Sequence, residues 1–119
     1  MIPTRVHGVI DYVWGVLLIA APFLFGFDDG DVAQWLPMAI GLVAILYSLL
    51  TRYELGLVHA IPMSVHLGLD VLAGLFLAIS PWLFGFADRI WWPHLVFGGL
   101  AVIIASMTER RPMLAIRAE

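Results

Sequence analysis

Hydrophobic and polar positions divide this chain into long blocks. Apolar stretches at about residues 4–24, 33–52, 62–82 and 91–108 are separated by short polar segments, and each approaches the roughly 20 residues a helix needs to cross a bilayer core. Polar and small residues interrupt the first stretch on a helical period: Pro3, His7, Asp11, Gly15, Leu18 and Pro22. At about 100° per residue these six fall within an arc of roughly 120°. Pro62, His66, Asp70, Gly74, Leu77 and Pro81 draw the same stripe in the third stretch. The pattern predicts two apolar helices that each keep one distinctive face.

The stripes match because the segment occurs twice. Residues 2–27 and 61–86 agree at 12 of 26 positions without a gap. The helix after each copy matches more weakly, with a length change in its loop. There Gly41, Ile45, Ser48 and Arg52 align with Gly99, Ile103, Ser106 and Arg110. Repetition of this kind makes each helical pair one structural unit, whose retained face points most simply at the other unit. The expected fold is all-α: four transmembrane helices in two tandem parallel helical-hairpin repeats. Two spans per repeat send both copies into the membrane in the same direction, so their pseudo-two-fold axis lies along the membrane normal. The chain reads as one integral membrane domain, with repeat 1 at about 1–58, repeat 2 at about 59–112 and a short tail at 113–119.

Composition supports a lipid environment. Hydrophobic residues make up 62% of the 119, charged residues only 13%, and mean hydropathy is +0.98. A soluble domain of this size cannot hide so much apolar surface. Ala20-Ala21 resembles a signal-peptide cleavage region, but the close copy of this span lies mid-chain, so the first span is expected to stay in the mature protein. The absence of cysteine excludes disulfides and thiolate metal sites. Nucleic acid is not an expected partner.

Charge adds orientation. Arg5, Arg52, Arg110, Arg111 and Arg117 flank one end of the spans, whereas Asp28, Asp29, Asp31, Asp88 and Arg89 occupy the loops at the other. By the positive-inside rule both termini are cytoplasmic, in an inner (plasma) membrane.

Pro3 and Pro62 suit the first turn of a helix. Pro22 and Pro81 are expected to kink or end their helices and turn the Leu-Phe-Gly-Phe segments, with Gly26 and Gly85, along the outer interface. Phe23, Phe25, Phe27, Trp35, Trp82, Phe84, Phe86, Trp91 and Trp92 gather at that level and read as an aromatic belt that fixes depth. Ser80-Pro81-Trp82, within a duplicated four-span chain, resembles the SPW repeat family of prokaryotic integral membrane proteins. The resemblance spans nearly the whole chain. It implies a four-helix membrane fold and brings no assigned activity. The first copy departs from the tripeptide, reading Ala21-Pro22-Phe23, which argues against a chemical role for the Ser80 hydroxyl.

The residues that can carry chemistry are His7 with Asp11 and His66 with Asp70. At i,i+4 each pair meets on one helix face. Asp11 lies about 12 Å along the helix from Pro3 at 1.5 Å per residue, a depth at which a carboxylate needs a partner.

Three readings follow. In the structural one, favoured by the local partner of each Asp, the pairs form a buried polar network in a small structural or accessory membrane protein. Gly8, Gly15, Gly68 and Gly74 then permit close helix approach, and Ser48 and Ser106 supply further hydrogen bonds. In the second, the two imidazoles and two carboxylates hold a divalent metal such as zinc; haem is disfavoured by the neighbouring carboxylates. In the third, the carboxylates relay protons or ions. Tyr12, Tyr47, Ser48, Thr51, Ser106 and Thr108 cluster with them in the cytoplasmic half, but the outer half is almost wholly apolar and His94 is isolated there. No nucleophile, metalloprotease or phosphate-loop motif is present, so an enzyme is not expected. The lipid bilayer is the expected partner; lipid, a homo-oligomer or a larger membrane complex would cover the remaining apolar faces.

Overall fold

The computed structural model describes residues 1–111; the tail at 113–119, with Arg117, lies outside the described residues. Four α-helices follow one another: α1 (Thr4–Leu24), α2 (Val32–Leu49), α3 (Met63–Leu83) and α4 (Trp92–Ser106). α1 packs closely along α2 and α3 along α4, with lighter contacts from α2 to α3 and from α1 to α4. α1, α2 and α3 are long and apolar enough to cross a membrane. α4, at 15 residues, extends only about 22 Å, short of the roughly 30 Å hydrocarbon core.

The distribution of side chains is the reverse of that in a water-soluble bundle. Val9, Val13 and Val16 on α1, Leu42, Val43 and Leu46 on α2, and Leu72, Leu75 and Ile79 on α3 face outward. Thr4, His7, Asp11, Ser48, Thr51, His66, Asp70 and Thr108 are buried. Polar groups inside and aliphatic groups outside suit an apolar surrounding such as lipid.

Each helical pair closes on a glycine from both sides. A Cβ on Gly41 would lie 2.5 Å from the Gly15 carbonyl oxygen, and one on Gly98 would strike the Gly74 carbonyl and the Ala78 backbone. The structure therefore pairs Gly41 with Gly98 and corrects the expected register of the second helices by one residue. Gly99 and Ser106, aligned with Gly41 and Ser48 on the sequence, face outward; Gly98 and Ala105 take the buried positions. One residue is a 100° rotation, so the buried face rather than the flanking charge sets the true correspondence.

Two parallel bridges lock the arginine-rich end across the repeats. Ile2 pairs with Thr108 and Ile61 with Thr51, so the lead-in to each repeat's first helix joins the end of the other repeat's second. The linker beyond Thr51 folds over α1, where Tyr53 and Leu55 lie against Gly8. Tyr12 donates to the Leu55 carbonyl at 2.8 Å, and Thr4 donates to the Glu54 carboxylate at 2.7 Å. Gly8 thus accommodates this linker rather than a neighbouring helix, and Gly68 meets open space instead of serving close approach.

Of the two expected effects, a kink or an end, the helices do not end at Pro22 and Pro81; α1 and α3 continue to Leu24 and Leu83. Termination comes at Gly26 and Gly85, with φ of 72° and 73°, in the left-handed conformation glycine adopts without strain. The Phe27 N–H reaches the Pro22 carbonyl and the Phe86 N–H the Pro81 carbonyl, both at 2.8 Å, closing a Schellman-type cap.

Pro81 has no N–H for the Leu77 carbonyl four residues earlier, and the buried Ser80 hydroxyl donates to that carbonyl at 2.6 Å. The serine of the Ser-Pro-Trp tripeptide therefore repairs the backbone beside its proline. Ser80→Ala is expected to cost about 1 kcal/mol, the typical net worth of one buried hydrogen bond, in thermal unfolding of the detergent-solubilised protein. Unchanged stability would show that the carbonyl is satisfied without it.

The aromatic belt is also smaller than expected. Phe23, Phe25, Trp35, Trp82, Phe84, Trp91 and Trp92 are exposed, but Phe27 and Phe86 are buried after the chain reversals. Their rings close on His94 at centroid distances of 5.1 and 4.8 Å. His94 is not isolated near the surface: it is buried, and its Nε2 lies 2.9 Å from the Ala33 carbonyl. At the same end Arg89 crosses between the repeats to Asp29 at 2.7 Å. The Asp31 backbone N–H, with that guanidinium, holds the Asp29 carboxyl below the usual carboxylate range.

Candidate polar centre between the repeats

His7, Asp11, His66 and Asp70 converge between α1 and α3, all four buried. The i,i+4 spacing brings each Asp to its own His, but the shortest contacts cross the repeats. His7 Nε2 lies 2.7 Å from Asp70 Oδ2 and 2.9 Å from Asp11 Oδ1. His66 Nε2 lies 2.6 Å from Asp11 Oδ2 and 3.2 Å from Asp70 Oδ2. Both carboxylates thus bridge both imidazoles. The two rings meet edge to face, with centroids 5.6 Å apart.

Two threonines orient the rings from behind. His7 Nδ1 lies 2.7 Å from Thr108 Oγ1, and His66 Nδ1 lies 2.7 Å from Thr51 Oγ1. Each hydroxyl donates its one hydrogen to the carbonyl four residues earlier, Thr108 to Ile104 and Thr51 to Tyr47, both at 2.6 Å. Each threonine oxygen must then accept from the ring, so Nδ1 carries hydrogen in both histidines and both Nε2 atoms point at the carboxylates. Lone pairs facing anionic oxygen at these distances would repel, so each Nε2 shares one proton with the carboxylates. Two shared protons leave the centre with no net charge. This satisfies the requirement that charges buried in hydrocarbon be paired.

The four side chains predicted from the repeat are therefore assembled together. Thr51 and Thr108 were visible as polar residues, but their role needed the corrected register, in which they are equivalent. Tyr47 is the partner that pairing of the two stripes does not reveal: it comes from α2 and donates to Asp70 Oδ1 through a short hydrogen bond. Its counterpart in α4 is Ile104, which gives Asp11 no such donor. A cavity of about 10 Å³ lies there instead, with His7, Asp11 and Asp70 on one side and Ile10, Trp14 and Ile104 on the other. Ser106, expected near the centre, faces outward and bonds to the Val102 carbonyl.

Toward the opposite end, Trp14, Leu18, Ala44 and Leu77 form an apolar core above the centre. One atom from each of the four residues, two imidazole nitrogens and two carboxylate oxygens, lies within 4.8 Å of the others. A set of this kind could coordinate a divalent metal. Tetrahedral zinc with bonds of about 2.0 Å separates its donors by about 3.3 Å, slightly more than the present N···O contacts and less than the widest separation of these atoms.

The chain thus combines two tightly packed helical pairs, a duplicated sequence and three helices long and apolar enough to cross a membrane. The SPW repeat domain matches residues 5–108, and the chain belongs to that family. No curated protein and no solved structure matches it significantly.

Proposed function

We propose that this chain is a small four-span component of the inner membrane, non-catalytic, in which the His–Asp centre joins the two repeats into one unit. In this reading repeat 1 occupies about 1–58 and repeat 2 about 59–112, related by an axis along the membrane normal. The excess of arginine at Arg5, Arg52, Arg110 and Arg111 supports cytoplasmic termini. The outward aliphatic faces suit lipid, further copies of the chain or a larger membrane complex.

The observation that carries the structural reading is the crossing of partners: each aspartate serves the other repeat's histidine as well as its own. Separately expressed segments 1–58 and 59–119 are accordingly expected to copurify, and to do so far less when both Asp11→Ala and Asp70→Ala are introduced. Undiminished copurification of the double variant would remove the centre from this role.

A second reading of the same four side chains, a site for a divalent ion such as zinc, is favoured by the threonine contacts. Metal-bound histidines characteristically donate the second ring N–H to a fixed acceptor, as both do here. A divalent ion replacing two shared protons also leaves the net charge unchanged. Two nitrogen donors suit zinc better than magnesium or calcium, which favour larger shells of oxygen. Haem suits the centre poorly, since the adjoining cavity has room for about one water. Proton or ion passage is disfavoured by the apolar core above it.

A further inference from the structure

The two sides of the His–Asp centre are unequal, and the inequality has a definite chemical meaning. On the Asp70 side, Tyr47 fills the space and donates to Oδ1. At the symmetry-related position Ile104 supplies no donor, and the water-sized cavity beside it is lined by His7, Asp11 and Asp70. Ile10, Trp14 and Ile104 also form the inner wall of a lipid-facing groove of about 250 Å³ between α1 and α4. Only a layer of side chains therefore separates the cavity from the protein's outer face.

Resting on the divalent-ion reading, we propose that the ion site is open on the Asp11 side. His7 Nε2, His66 Nε2 and one oxygen each of Asp11 and Asp70 hold the ion, and a water molecule in the Ile104 cavity occupies a fifth position. Asp70 is the fixed ligand, anchored through its second oxygen by Tyr47; Asp11 is the ligand at which exchange occurs. Structural zinc sites are closed four-ligand shells, whereas sites that exchange or act on a ligand keep a position for water. The cavity meets the volume that a water requires, and His7, Asp11 and Asp70 supply polar walls; of the two carboxylates only Asp70 is also held by Tyr47. The ion is thus exchangeable, with access from the α1–α4 side rather than through the apolar core.

Cobalt(II) tests this directly, because its visible bands strengthen severalfold when a five-coordinate shell becomes tetrahedral. The full chain is purified in detergent, loaded with Co2+, and compared with Ile104→Tyr, which restores the missing phenol, and with Ile104→Phe, which fills the cavity without a donor. A His7→Ala/His66→Ala double variant establishes that the bound ion sits at this centre. Weak five-coordinate bands in the native chain, strengthening severalfold in either Ile104 variant with slower release to a chelator, are the expected result. Intense tetrahedral bands already present in the native chain would overturn the open position while leaving the divalent-ion reading intact. Failure of the native chain to retain Co2+ or Zn2+ would remove that reading and this inference with it.

Discussion

Asp70→Ala is expected to destabilise the bundle by about 3–5 kcal/mol, the effect typical of removing one partner from a buried ion pair. Ordinary hydrogen bonds between membrane helices average only about 0.6 kcal/mol, so this expectation rests on charge rather than on bond number. Asp70 accepts from His7, His66 and Tyr47. Its loss leaves the Tyr47 hydroxyl without this acceptor and two imidazoles facing one carboxylate, with one positive charge unbalanced unless a proton is released.

Asp11→Ala should cost less, because Asp11 lacks the tyrosine donor that holds Asp70. Asp70→Asn should fall between the native protein and Asp70→Ala, since it retains an acceptor oxygen without the charge. Denaturant titration of the three variants in detergent micelles gives the ordering. A loss below about 1 kcal/mol for Asp70→Ala would place the centre among ordinary interhelical hydrogen bonds and end its role as the tie between repeats.

The second large effect separates two adjacent glycines. Gly98→Ala should destabilise by about 1–3 kcal/mol, the usual cost of overpacking a filled interior. Its new methyl would meet the Gly74 carbonyl and the backbone of Ala78, neither of which can rotate away, so α3 and α4 must separate. Gly99→Ala meets open space and should be neutral or slightly stabilising, because alanine favours helix over glycine by up to about 1 kcal/mol. Thermal unfolding of the two variants side by side is the measurement. Equal effects, or the reverse order, would mean that Gly99 rather than Gly98 faces α3, restoring the alignment of Gly41 with Gly99.

The same one-residue question explains what could be read from the chain in advance. In the first helix of each repeat, His7, Asp11, Gly15 and Leu18 reappear without a gap as His66, Asp70, Gly74 and Leu77. Identity at helical spacing defines a face, and that face proved to be the inner one. The second helices share few identities across loops of different length, so matching arginines outweighed the weak internal signal. With the register one residue off, Thr51 and Thr108 could not be recognised as equivalent supports for the two rings. Tyr47 was harder to place, because its counterpart Ile104 carries no polar trace of the position.

Phe27, Phe86 and His94 illustrate a different limit. Aromatic residues beside a span end suit an interfacial belt, and most of those in this chain remain outside. Gly26 and Gly85, however, reverse the chain so that the phenylalanine after each turns inward and meets His94. Composition reports that aromatics are present at this level. The direction of a turn decides whether they face lipid or the core.

The sequence alone determined the helical repeat, its apolar surroundings and the four ionisable residues of the centre. These depend on periodicity and transfer free energy, which act locally along the chain. Tertiary structure decided that the carboxylates serve both repeats, that threonines set the direction of the imidazoles, and that Tyr47 closes one side while Ile104 leaves the other open. Those outcomes depend on how helices rotate and approach one another. A change of one residue in register turns a side chain by about 100°, enough to exchange a hydrogen-bond partner for lipid.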